Sequence, residues 1–550
     1  MNGASDQPHT IARSAASFLS GTALSRVSGL LRDMSIAYCF GTHSAIAAFL
    51  VALRLANLLR RIFGEGALLN GFIPHFESYR SESPKRASEF FRDTFFSLAV
   101  LVVILISALE LALYFSVRAF DFTQDGEQIV HLIMIILPGV LFICLFSICS
   151  GLLQCLKFFF LIGVSPVAYN IIWVISVILF KNHAPQNAVI GLAVGVTLAF
   201  LFQWLITFPK TISFLRLTLS WKEIFQCHLF SKEIQIMLSS LSLGLLGVVA
   251  AQINTAMDTL FARFASLEGP AYLNYAIHLQ QLPLALFGIG IASALLPPLS
   301  RAFKSDHFAK YNELLEFALS LAMFIVIPCA CAIFVLGGSS VNLLFGRGDF
   351  NHASTIHTTI CLWGYGIGLI PMVITMLLAP AFYAKKNYII PVTASLFAIF
   401  INFTLNSLII CVFHFGPESL AISTSIAAFF NAYILYRQLS KEALIRLQPS
   451  FMYSLAKTFF CSILSGMITL ITGYFLLNDP TIPILIGKNA WFPRLFTEQA
   501  AHFGVLSIVF ILTFVVSSLV FNRKAFLSLI NFYRKPMPMH PHKGSSNNNF

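Results

Sequence analysis

The amino-acid sequence predicts an all-α polytopic membrane protein of about fourteen transmembrane helices, two six-helix lobes followed by two C-terminal helices. Three observations carry that prediction: a composition too apolar for a water-soluble core, apolar runs of span length, and a one-sided distribution of Lys and Arg between those runs. Of the 550 residues, 57% are hydrophobic and only 11% are charged, whereas soluble domains carry about 25% charged residues. With a mean hydropathy of +0.80, the bilayer is the solvent. A net charge of +12 and a pI near 9.2 would point to nucleic acid in a soluble chain. Here the basic residues are scattered through short gaps rather than gathered in a patch, which argues against a nucleic-acid partner.

A span needs about 20 mostly apolar residues, and such runs fall at 15–37, 44–77, 93–117, 128–155, 158–180, 186–209, 234–264, 270–300, 312–336, 353–382, 388–413, 417–436, 452–477 and 499–521. The longest require tilt or bends, and Pro74, Pro283 and Pro297 sit where bends would fall. The expected organisation is a cytoplasmic segment 1–14, an N-lobe 15–213, a C-lobe 234–437, a helix pair 452–521 and a cytoplasmic tail 522–550. Met1 to Ser17 is polar and lacks the basic-then-apolar order of a cleavable signal. His540 and His542 lie in an Asn-rich stretch that reads as a solvated tail rather than a metal site.

Basic residues fix the expected orientation. With the amino terminus inside, the loops and tail on the cytoplasmic side hold 22 Lys and Arg and the opposite loops hold 6, so both termini are expected in the cytoplasm. The ten cysteines lie mostly within apolar runs, and none forms a C-x-x-C pair that would suggest zinc or redox chemistry. An internal repeat supports two halves: Phe63-Gly64-Glu65-Gly66 followed by Pro74 recurs, 224 positions on, as Phe287-Gly288-Ile289-Gly290 followed by Pro298. Six helices per half keep both halves in the same orientation, as in transporters with the substrate path between parallel repeats.

The strongest chemical signal is Arg26, Arg32, Arg54, Arg60 and Arg61, all within the first two spans. One arginine at the bilayer centre costs from about 2.5 to above 10 kcal/mol, so such residues face a wet cavity or a partner. Within these spans only Asp33 and Glu65 are placed to pair with them. Snorkelling to an interface is the alternative for any single arginine; for five together a hydrated electropositive cavity is the better account. Helical phase places Arg54 and Arg61 about 20° apart but Arg60 about 100° from Arg61, which excludes one continuous stripe. The planar, permanently charged guanidinium bonds phosphate bidentately, so diphosphate is the natural guest.

Ser25-Arg26-Val27-Ser28-Gly29 with Arg32-Asp33, then Phe40-Gly41, Ala48-Phe49 and Asn57-Leu58-Leu59-Arg60-Arg61-Ile62-Phe63 with Glu65-Gly66-Ala67, resembles the amino-terminal signature of the MurJ (MviN) lipid II flippase family. A second block from Tyr275-Ala276 through Leu279, Gln281, Leu282-Pro283, Gly288 and Leu296-Pro297 is similar to the family's eighth helix. The resemblance covers essentially the whole chain. It implies a multidrug/oligosaccharidyl-lipid/polysaccharide exporter fold, alternating-access transport of undecaprenyl-diphosphate-linked lipid II in the bacterial inner membrane, and a groove for the lipid tail between the last two helices. By position it makes Arg26, Arg32 and Arg60 the family's required cavity arginines, with Arg54, Arg61, Glu65, His278 and Gln281 as further substrate-site candidates. Proteins of cell-wall synthesis are the implied partners.

Departures qualify the transfer. Relatives carry Asp at Ala47, Pro at Ala56, Arg at His278 and, in some, Glu at Gln281. An imidazole in place of a fixed guanidinium would tie the cavity's charge to pH, or His278 is a hydrogen-bonded packing residue. Asp258, with Asn402 and Asn406 one turn apart, resembles the position of a family sodium site, and interhelical polar packing would use the same residues. No organic cofactor is expected, and sodium, protons or the membrane potential are the open choices for the driving force.

Three functions are weighed. An exporter of drugs or other polyprenyl-linked glycans would use the same fold, but the arginines favour an anionic substrate over a cationic drug. An intramembrane enzyme needs acidic residues or a catalytic loop at a membrane face, and the longer gaps at 477–499 and 210–233 carry no paired carboxylates, no metal-spaced His or Cys and no Gly-rich phosphate loop. A lipid-linked precursor flippase remains the leading reading. Its orientation is checked in a cysteine-free background: cysteines introduced beside Arg80, Lys222 and Lys385 are expected to resist an impermeant thiol reagent in intact cells, and ones beside Asp125 and Gly346 to react. Labelling from outside beside Lys222 would show a miscounted span.

Overall fold

The computed structural model describes residues 8–63, 67–305, 307–442, 445, 447–485 and 491–527. Among these every regular element is a helix: α1 (Pro8–Phe40), α2 (Ser44–Phe63), α3 (Ala67–Glu82), α4 (Pro84–Ala119), α5 (Gln124–Cys155), α6 (Phe159–Phe180), α7 (Pro185–Arg216), α8 (Trp221–Phe225), α9 (Lys232–Ala265), α10 (Gly269–Pro283), α11 (Gly290–Lys304), α12 (Phe308–Phe345), α13 (His352–Ala384), α14 (Ile389–Ser407), α15 (Glu418–Lys441), α16 (Pro449–Leu477), α17 (Thr481–Leu485) and α18 (Phe496–Phe521). Ten described helices are long and apolar enough to cross a membrane. The four other expected spans fall on α1, α2 with α3, α9, and α10 with α11. The arginines of α1 and α2 are what make those two helices less apolar than an ordinary span.

Where the sequence leads to a bend at Pro283, the helix widens into a π-helical segment, Leu284–Ile289, before continuing as α11. Proline lacks the N–H for the bond to the preceding turn and its ring crowds that turn's carbonyl; a π segment takes up the mismatch without ending the helix.

The chain forms two compact units. The first comprises Met1–Leu279, Val341–Gly364 and Ser395–Ala427. Within it α1 packs along α6, α5 against α7 and α2, and α2 against α9. Small residues permit close approach: a Cβ on Gly21 would meet the Gly163 backbone at 2.9 and 3.0 Å, so α1 and α6 cross with almost no side chain between them. The first half of α2, from Ala45 to Ala52, is buried along nearly its whole surface. Ala47 and Ala56 lie in that tightly packed helix and are buried.

The second unit comprises Gln280–Ser340, Tyr365–Ala394 and Ala428–Phe550. Leu295 and Leu299, Leu315 and Leu319, and Val373 and Leu377 meet Leu435 and Leu439 in its core, and the Tyr311 hydroxyl donates to the Ala381 carbonyl at 2.7 Å. α16 and α18 pack side by side, joined by the Asn522 amide, which donates to Thr458 Oγ1 at 3.0 Å and to the Ser454 carbonyl at 3.1 Å.

In the first unit the α1–α2 turn is locked by two interleaved glycines with positive φ. Gly41 (φ +55°) lies against the Asp349 carbonyl and Gly348 (φ +59°) against the Tyr38 carbonyl, while Asp349 N–H donates to that same Tyr38 carbonyl at 3.0 Å. A Cβ on Gly41 would press on backbone alone, and one on Gly348 on the Tyr38 carbonyl and ring. Gly41→Ala and Gly348→Ala are each expected to cost about 1–3 kcal/mol, read as a lower thermal midpoint of the purified protein. Gly504→Ala, whose methyl meets nothing within 4 Å, serves as the control and should hold or raise the midpoint. An unchanged midpoint for Gly41→Ala would remove the role given to this turn.

Candidate functional site

Site residues gather inside the first unit because α1, α2, α6 and α10 each present a polar face there. A cavity of about 190 Å³ is lined by Arg32 and Asp33 from α1, Arg54, Asn57, Arg60 and Arg61 from α2, Tyr169 and Trp173 from α6, and Asn274, Tyr275 and His278 from α10, with Ile36, Leu50 and Leu53 as its apolar wall. Among the described residues, four guanidinium groups thus share the lining with one carboxylate, which makes this lining electropositive.

Arg32 is held from three sides. Its Nε and Nη2 donate to Asp33 Oδ1 at 2.9 and 2.7 Å, its Nη1 donates to Asn170 Oδ1 at 3.2 Å, and the guanidinium carbon stands 4.5 Å from the Trp173 ring centroid. The other carboxylate oxygen of Asp33 lies 2.9 Å from His278 Nδ1. His278 therefore sits at ion-pair distance from Asp33, although that ring nitrogen has no partner in hydrogen-bond geometry among the described residues.

Of the residues expected from sequence, Arg32, Arg54, Arg60, Arg61 and His278 line the cavity. Arg26 is exposed on α1 and Gln281 is exposed beyond the end of the first unit, and neither is in the lining. Arg26 lies about 120° around α1 from Arg32 at 100° per residue, so one helix does not aim both inward. Glu65 lies outside the described residues. Sequence reasoning missed Asn170, Tyr169 and Trp173. Their contact with Arg32 crosses 138 residues of chain, and an aromatic pair with an Asn on an apolar helix gives no signal until its partner is known.

A second polar cluster lies between α9, α14 and α15. Asn402 Nδ2 and Asn406 Nδ2 donate to Asp258 Oδ1 at 2.6 and 2.7 Å, Asn402 Nδ2 reaches Asn254 Oδ1 at 3.0 Å, and Thr424 Oγ1 lies 3.3 Å from Asp258 Oδ2. Asp258, Asn402 and Asn406 are buried, and Asn402 Oδ1 and Asn406 Oδ1 have no hydrogen-bond partner among the described residues. Turning either amide exchanges nitrogen for oxygen beside the carboxylate, so this donor set fits a hard cation held by oxygen. A single carboxylate suits a monovalent ion better than a divalent one. Arg54 of the cavity interacts electrostatically with Asp258.

Comparison with known proteins bears on identity. The family model described as "Lipid II flippase MurJ" matches residues 36–482. A protein of Chlamydia muridarum (strain MoPn / Nigg), "Probable lipid II flippase MurJ", is 33% identical over 435 residues, 78% of this chain and 79% of that protein. Among solved structures, "Lipid II flippase MurJ, inward closed conformation" superposes with a TM-score of 0.72 at 23% identity, covering 92% of this chain and 99% of that one. A multidrug resistance MATE family transporter of the MOP superfamily, in an inward-facing conformation, gives 0.64 at 14% identity over 78% of this chain and 98% of that one. The two structural likenesses show the fold. The family model and the Chlamydia relative go further: this multi-pass chain belongs to the lipid II flippase MurJ family.

Proposed function

We propose that this protein flips lipid II, the undecaprenyl-diphosphate-linked peptidoglycan precursor, from the inner to the outer leaflet of the bacterial inner membrane by alternating access. The observation that carries this reading is the gathering of Arg32, Arg54, Arg60 and Arg61 around one cavity whose described lining holds a single carboxylate. Fixed guanidinium groups replace the water that a diphosphate gives up on entering the membrane, and charge-assisted bonds are roughly twice as strong as neutral ones. A cationic drug would meet the same charges as a barrier, which disfavours the multidrug reading that the fold alone would allow.

Coupling belongs to the Asp258 cluster in this reading. Asp258, Asn402 and Asn406, with Thr424 and Asn254 beside them, hold a sodium ion, and the charge it adds next to Asp258 acts on Arg54 in the cavity. What supports this is the donor set: two buried amides, their oxygens without partners among the described residues, beside a buried carboxylate.

Two measurements test these proposals. In liposomes carrying labelled lipid II, Arg32→Ala and Arg60→Ala should each lower flipping at least about tenfold, equivalent to one lost charge-assisted bond, with normal membrane insertion. Arg32→Lys should recover only part, because lysine keeps the charge and loses the fork. Full flipping by Arg32→Ala together with Arg60→Ala would sink the cavity model. For the ion, sodium but not choline should raise the thermal midpoint of the purified protein, as a ligand of the folded state does, and Asp258→Asn should abolish the rise. An equal sodium effect in Asp258→Asn places the ion elsewhere.

A further inference from the structure

Beside the arginines, α6 contributes Tyr169, Asn170 and Trp173, which share one helix face directed at Arg32. Asn170 is 4% exposed and Trp173 is 2% exposed. The orientation of the Asn170 amide is dictated from the backbone outward. Ser25 contributes a carbonyl oxygen, which only accepts; the Ser28 hydroxyl spends its proton on that carbonyl at 2.9 Å and so accepts from elsewhere. Asn170 Nδ2 donates to both, at 3.3 Å to the carbonyl and 2.8 Å to the hydroxyl. Its oxygen must therefore face the guanidinium. A turned amide would set oxygen against carbonyl oxygen and N–H against N–H.

The Trp173 ring is held edge-on between Phe49 (centroids 5.8 Å, 85°) and Tyr169 (5.4 Å, 87°), and the Arg32 guanidinium lies 4.5 Å from its centroid, within cation–π range. Trp173 also carries an indole N–H that is buried in the cavity lining with no hydrogen-bond partner among the described residues. Tryptophan only donates, and a buried donor left without an acceptor is costly. On Arg32 itself, Asp33 and Asn170 take three of the five N–H groups, which leaves two for a ligand.

We infer that Asn170 and Trp173 are specificity-determining residues of this cavity: Asn170 fixes the plane of the Arg32 guanidinium, and Trp173 faces that plane and offers its indole N–H to the same anionic group. Asn170 acts through Arg32 and is a positioning residue; Trp173 acts on the ligand directly. The inference rests on the reading of the cavity as a diphosphate site, and the experiment separates the two.

Full-length protein in nanodiscs is titrated with inorganic pyrophosphate and, in parallel, with farnesyl diphosphate, with thermal unfolding as the check on folding. Trp173→Phe keeps the aromatic face and loses the N–H, and should weaken both probes about tenfold, the scale of one hydrogen bond to a charged group. The same loss is expected when Arg32 is already Ala. Asn170→Leu should also weaken binding about tenfold in the parent, yet add nothing in the Arg32→Ala background, since a residue that acts through another shows full coupling in a double-mutant cycle. Asn170→Ser gives the same comparison should Asn170→Leu not fold. Unchanged affinity in Trp173→Phe, or equal losses from Asn170→Leu in both backgrounds, overturns the inference. Parent-like affinity in Arg32→Ala overturns the cavity reading instead. Farnesyl diphosphate should bind at least as tightly as pyrophosphate, and the reverse order would overturn a lipid-borne ligand.

Discussion

Holding guanidinium groups inside a hydrocarbon layer is the constraint from which the rest of the first unit follows. Each such group loses its hydration on entering the bilayer and must find replacements within the protein. Around Arg32 they are all present: a carboxylate one residue away, an amide oxygen from α6 and an aromatic face. Because those replacements come from another helix, α1 and α6 must approach closely and in one register, and the Gly21–Gly163 crossing allows it. The cavity is in this sense a product of helix packing. Its polarity is supplied by a few side chains, and its geometry by the glycines and alanines that let the helices approach.

Much of the fold was legible in the sequence because the bilayer simplifies the problem. Apolar runs can be read directly, since every backbone N–H and C=O inside the membrane must be paired within its own segment and the helix is the ready solution. The segments at 128–155, 158–180 and 452–477 fall on α5, α6 and α16 almost end to end. Periodicity carried no information about helices that outrun the apolar stretch: α4 begins at Pro84, well before the run at 93–117, because its first turns lie against α3 and the segment between α7 and α9, where buried Arg92 donates to the Glu223 carbonyl of α8 and buried Asp93 accepts from the His228 N–H. The π segment after Pro283 was visible only as an expected bend.

The candidate site was legible in half. Arginines within spans stand out against their surroundings whatever the fold, so Arg32, Arg54, Arg60 and Arg61 could be named from the sequence alone. Arg26 could not be separated from them, since phase within one helix says which residues share a face and leaves open which face is inward. Asn170 and Trp173 were invisible for the opposite reason: both are ordinary in an apolar helix, and only their distance to Arg32 gives them meaning. The Asp258 cluster lay between these cases. One turn between Asn402 and Asn406 places them on a common face, but Asn254 and Thr424 enter only through tertiary contact.

The paired glycines at the α1–α2 turn have a bearing on how this chain can change over evolutionary time. Gly41 and Gly348 each exclude a side chain because of the other's neighbourhood: the carbonyl that blocks one position belongs to the residue next to the second, and the carbonyl that blocks the second lies three residues before the first. A mutation at either site therefore gains nothing from a compensating change at its own flank. Relief has to come from a shift of the opposite loop. Drift in the two segments is tied together, and insertions or deletions in one of them would be inherited only alongside a reshaping of the other.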